Sequence, residues 1–163
     1  MKGLTAMLML IPSLSAAAPI TPSALLADIQ TRGVDTVIQR MTDEQAQPVF
    51  DGIARGDPDW IRLAPVLAPG LDGGWATWLG VSLASALPCN ADAVLAVIDE
   101  GKYAPMMGTS TVCGMPFFEE QQAFYTDYYH AARRALLATG EKGKRCLLVL
   151  EQAKQQADTL SSP

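Results

Sequence analysis

The chain has 163 residues, is 49% hydrophobic and carries a formal charge of −5, with one histidine and three cysteines. Acidity of this kind excludes a phosphate-gripping basic face, and so nucleic acid as a partner. A single histidine excludes a multi-histidine zinc site within one chain, and the length suits one domain with enough chain to bury a core.

The first residues carry the pattern of a secretory signal. Lys2 supplies the positive start, and Gly3 to Ile11 is uncharged and mostly apolar. Pro12 and Ser13 interrupt it, and small residues follow at Ser15, Ala16, Ala17 and Ala18. That order predicts a leader over residues 1–17, cleaved before Ala18, with residues 18–163 as a single exported, periplasmic helical domain. The apolar run is much shorter than the ~20 residues that cross a bilayer. No later segment reads as membrane-crossing, and no cysteine follows the cleavage point to take a lipid.

Beyond the leader, Thr21 or Ser23 is placed to cap a first helix, with Pro22 tolerated at its start. Leu25, Leu26 and Ile29 form its apolar stripe and Gly33 ends it. Val34, Val37, Ile38 and Met41 mark a second helix. Thr42 to Gln45 match a capping box that opens a third, with Val49, Phe50 and Ile53 at helical spacing and Gly56 closing it. Asp57-Pro58-Asp59-Trp60 is the clearest helix start: a cap, a residue with no N–H to waste, and an acid at the positive end of the dipole. Pro65 predicts a kink or an early end.

Asp72 is placed to cap the next helix, whose face carries Trp75, Trp78, Leu79, Ser82, Leu83 and Ala86 and which Pro88 should stop. Asn90 then caps another, with Val94, Leu95 and Ile98 inward. Lys102 to Met115 reads as a long irregular segment. Pro116 is expected to open a long helix through Phe124, Tyr128 and Leu136 to Gly140. A last helix carries Cys146, Leu150, Ala153, Ala157 and Leu160 as an apolar seam. No segment alternates with period two, so the fold class is all-α: a single domain of short stacked helical hairpins, α-solenoid-like, ending in two longer helices.

Catalytic sets are hard to assemble from these residues. His130 would have to serve any histidine-based hydrolase, yet no serine or cysteine adjoins it; a half-exposed helix residue is the simpler reading. Glu119 and Glu120 are the best carboxylate pair for glycosidase-type chemistry, the alternative function being a cell-wall-directed hydrolase. Adjacent residues diverge on a helix, however, and acids suit its first turn. Asp57, Asp59 and Asp72 lack the spacing and glycine of a calcium loop and read as caps. No glycine-rich phosphate loop is present. No cofactor is expected.

Two features point toward a partner instead. From Arg40 to Glu100 the bases Arg40, Arg55 and Arg62 face nine acids, Asp57 and Asp59 among them. A basic protein is the partner such a stretch would attract, although capping and solubility also explain the acids. Phe117, Phe118, Phe124, Tyr125, Tyr128 and Tyr129 cannot all face one way on a helix, so some are expected in the core and some at the surface. Phe118, Tyr125 and Tyr129, with Asp57 and Asp59, are the candidate partner surface.

In an exported chain Cys89, Cys113 and Cys146 allow one internal disulfide and leave one thiol over. A simple hairpin of the last two helices would put Cys113 about 34 Å from the turn before Cys146, at 1.5 Å for each of roughly 23 residues. Cys89 is then the reachable partner of Cys113, whereas a break near Glu120 would allow Cys113–Cys146.

The block Ile53 to Ile61, with Leu63-Ala64, Leu67 and Pro69 to Asp72, resembles a group of small exported proteobacterial helical proteins with no assigned activity. The likeness continues through Ala86-Leu87, Asn90, Val94-Leu95, Cys113 to Phe117 and Arg145 to Leu147. It implies a helical exported fold, pairs Cys113 with Cys146, and brings no catalytic residues. The reading is a periplasmic, non-catalytic binding or adaptor protein with a protein partner, one form of which is an immunity-type inhibitor of a periplasmic toxin.

Overall fold

The computed structural model describes residues 20–117 and 122–160. In chain order they form α1 (Pro22–Arg32), α2 (Val34–Arg40), α3 (Asp43–Ala54), α4 (Pro58–Ile61), α5 (Ala64–Leu67), a 3₁₀ turn (Ala68–Gly70), α6 (Gly73–Leu95), α7 (Ala104–Met107), α8 (Thr109–Val112), α9 (Gln122–Ala138), a second 3₁₀ turn (Gly140–Gly143) and α10 (Lys144–Leu160). No strand occurs among the described residues, so the all-α class holds.

Local chemistry sets most helix starts. Thr21 Oγ1 accepts from Ala24 N at 3.2 Å. The predicted capping box at α3 is complete: Thr42 Oγ1 accepts from Gln45 N at 3.4 Å and Gln45 Oε1 from Thr42 N at 3.0 Å. Asp57 Oδ1 accepts from Asp59 N at 2.9 Å. Pro65 does end one helix, since α4 stops before it and α5 begins with it in the first turn.

The long helix α6 organises the rest. It packs on α3 and α4 and on α7, α8 and α9, while α10 lies against α9. Leu79, Leu83, Ala86, Leu87 and Val94 are wholly buried along it, facing Ile53, Ile61, Leu136 and Leu150 from other helices. Phe50 stacks on Trp78 with ring centroids 4.5 Å apart.

Four expectations need correction. Pro88 does not itself stop the helix, which runs one residue past it to Cys89; α6 comprises two helical stretches that meet at a kink at Asn90 (φ −153°, ψ 66°), and Asn90 caps the second as expected, its Oδ1 accepting from Ala93 N at 3.3 Å. The missing N–H of Pro88 leaves the Ala84 carbonyl without its helical donor. The buried Tyr128 hydroxyl, reaching across from α9, donates to that carbonyl at 2.8 Å. Lys102 to Met115 is not irregular throughout, because α7 and α8 form within it. Pro116 does not open the long helix. Met115 adopts a left-handed φ of 54° and Phe117 N bonds back to Met115 O at 2.8 Å, so both Pro116 and Phe117 lie outside α9. Finally, Gly73–Leu95 is long and apolar enough to cross a membrane, with a mean hydropathy of 1.2, yet 50% of that window is buried inside the fold. A core helix needs the same apolar composition as a spanning one.

Candidate functional site

The Gly56 to Trp60 block forms the corner between α3 and α4. Gly56 has φ 82°, and a Cβ there would approach Cys89 Cβ to 2.7 Å. Its carbonyl accepts from Asn90 Nδ2 at 2.9 Å, and Asn90 Oδ1 in turn accepts from Ala93 N at 3.3 Å beyond the kink. Trp60 is buried against Gly52, where any Cβ would run into the indole. This corner therefore docks α3–α4 onto the bend of α6.

The Cys113 to Phe117 block is a second junction. Cys113 and Cys146 form a disulfide with Cα atoms 5.3 Å apart, both residues buried. Cys89 is free and exposed. The simple-hairpin geometry that favoured Cys89 fails because the chain turns at Met115 before α9 starts. Phe117 then packs edge-on to Tyr128 at 4.6 Å and to Phe124 at 5.1 Å. Both sequence blocks thus carry structural work.

Compared with known proteins, the chain matches no family model, no curated protein and no solved structure.

The candidate partner residues are on separate elements and mostly engaged. Asp57 caps α4, and Asp59 is ion-paired with Arg62. Tyr125, half-buried, donates its hydroxyl to the Phe117 carbonyl. The half-buried Tyr129 lies under the Lys154 ammonium, 5.7 Å from its ring centroid. Phe118, Glu119 and Glu120 lie outside the described residues. The aromatic cluster divides as expected between core and surface: Tyr128 is 7% exposed and Phe124 38%. His130 is exposed, its ring 5.2 Å from that of Tyr129. Among the described residues no group of three or more histidine, cysteine or acidic side chains is placed to hold a metal ion.

Electrostatics single out Glu100. Its carboxylate accepts from the Thr109 hydroxyl and from Thr109 N at 3.1 Å, and Arg145 Nη2 stands 3.5 Å away. The Thr109 hydroxyl, then its backbone N–H, then the Arg145 charge hold the Glu100 carboxyl below its ordinary value. Burial pushes the Tyr128 phenol up, so it stays a neutral donor to Ala84.

Sequence reading missed a notch of about 320 Å³ between α2, the first 3₁₀ turn and the start of α6. Trp75 walls it, Ile38 and Met41 give it apolar surface, and Asp35 and Asp72 line it. Trp75 shares its predicted helix face with the buried Leu79 and Leu83, yet it is only half-buried, with its Nε1 donating to Asp43 Oδ1 at 3.0 Å. Asp72 does occupy the N-cap position of α6, but its side chain makes no capping bond. The sequence signal was present as acids beside a tryptophan; their meeting around one cavity depends on how α2 packs against the turn before α6.

Proposed function

We propose that this chain is a non-catalytic helical binding or adaptor protein of the periplasm with a basic protein as its partner. An immunity-type inhibitor of a toxin entering the periplasm is one concrete form. The observation that carries the reading is the unspent charge of the acidic middle. The carboxylates of Glu44, Asp72 and Asp92 are exposed and have no hydrogen-bond or ion-pair partner among the described residues. Carboxylates left unpaired on one chain attract a positively charged surface and speed its approach. An internal Cys113–Cys146 bond supports folding in an oxidising compartment, and the leader-like residues 1–17 support export.

The test is affinity capture of tagged residues 18–163 from periplasmic extract, with mass spectrometry of what is retained. A stoichiometric basic protein, lost at high salt, is the expected result. Repeated capture of nothing above background would overturn the reading.

A further inference from the structure

We propose that the Trp75 notch is a receptor for one arginine side chain presented by a basic protein partner. The inference rests on the binding reading above and assigns it a place and a ligand chemistry. The notch, about 320 Å³, lies at the small end of the ~300–1,000 Å³ typical of ligand pockets. That is room for one long side chain rather than a larger organic molecule.

Three observations select its occupant. The first is the wall. The Trp75 indole is held by its bond to Asp43 and by edge contact with Phe50 at 6.3 Å, so a fixed aromatic surface borders the cavity. A cation over such a face is attracted by the ring quadrupole, and guanidinium stacks on it as well. The second is the charge. The Asp35 and Asp72 carboxylates are exposed, make no hydrogen bond or ion pair among the described residues, and share the lining with no lysine or arginine. An anion would be repelled, and a purely apolar group would strip water from two carboxylates without replacing it. The third is the apolar surface of Ile38 and Met41, which suits the methylene stem of a long cationic side chain. Acids near helix starts are expected from the dipole alone. A fixed indole and an open volume between them are not. Arginine fits better than lysine because its planar fork can stack and bond a carboxylate together, whereas ammonium acts as a point charge.

Gly74 provides the decisive variant. It lines the notch, and a Cβ at this position meets nothing within 4 Å. Gly74→Phe therefore places a bulky group beside the notch, at an exposed position in the first turn of α6, without a clash at its Cβ. The experiment is an NMR titration of the ¹⁵N-labelled domain with the peptide acetyl-Gly-Arg-Gly-amide, repeated with acetyl-Gly-Lys-Gly-amide. The arginine peptide should shift the Trp75 indole N–H saturably and leave the Trp60 indole N–H unmoved. Asp35→Asn or Asp72→Asn should weaken binding by about two- to fivefold, the range of exposed charge pairs. The lysine peptide should bind more weakly than the arginine peptide. Gly74→Phe should abolish the shift with no fall in Tm. No saturable shift at Trp75, or an unchanged titration in Gly74→Phe, would sink the proposal. Should that happen while a basic protein is still captured from periplasm, the binding reading stands and its interface lies on another face.

Discussion

Gly52, in the last turn of α3, shows how a single residue can reverse a local rule. Alanine is the better helix former there by about 1 kcal/mol. Yet a methyl group at Gly52 would run into the buried Trp60 indole. Gly52→Ala is therefore expected to lower stability by about 1–3 kcal/mol, the usual cost of overpacking. Urea denaturation decides it, because propensity alone predicts a gain. Tyr128 and Pro88 form a second residue-scale pair. Tyr128→Phe strips the Ala84 carbonyl of the donor that replaces the one Pro88 lacks. The expected cost is about 1–3 kcal/mol, typical of a buried polar group left unsatisfied. In a Pro88→Ala background the helix supplies its own N–H, and the same change should cost about 1 kcal/mol less. A double-mutant cycle that closed with no coupling would remove this account of how a proline sits inside α6. None of this was legible in sequence. Pro88 looked like a stop and Tyr128 like one aromatic among several, because the compensating contact joins residues 44 positions apart.

At the scale of elements, the short helices were largely written into their first turns. The Thr42 capping box, the Asp57 cap and the Pro58 start act within four residues, so the chain declares them locally. The junctions between helices are different. Cys113–Cys146 ties the segment after α8 to the start of α10 across 33 residues. Closing a loop of that length restricts the unfolded chain, so Cys113→Ser with Cys146→Ser should cost about 3–4 kcal/mol. Thermal or urea unfolding of the doubly substituted domain measures it. The exposed Cys89 should react with a thiol reagent in the native protein, while the buried pair stays protected. Labelling of Cys113 or Cys146 in the native state would contradict the pairing. The sequence left the partner of Cys113 open because it gave no sign that Met115 turns the chain before α9.

For the molecule as a whole, Glu100 is where acid should act on the fold. It joins the segment after α6 to Thr109 on α8 and to Arg145 on α10. Its folded value lies below the ordinary 4.5, so its contribution is complete above 4.5 and is lost as pH falls through the depressed value. Glu100→Gln should therefore be less stable than the parent at pH 7, and the gap should narrow as pH falls toward 3. Urea midpoints across that range give the comparison. A gap that stayed constant would mean that the carboxylate charge contributes nothing. On the proposed binding reading, the unpaired acids of the middle segment would give a broad field, screened within about 8 Å at physiological salt, and the Trp75 notch would add selectivity.

By itself the sequence determined the all-α class and the starts of α1, α3 and α4, because periodicity and caps act over a few neighbours. Tertiary structure decided the rest. It ran α6 through Pro88, paired Cys113 with Cys146 and left Cys89 free. It gathered Asp35, Asp72 and Trp75 around one cavity. Those outcomes depend on which groups meet across helices, and chain-local patterns do not encode such distances.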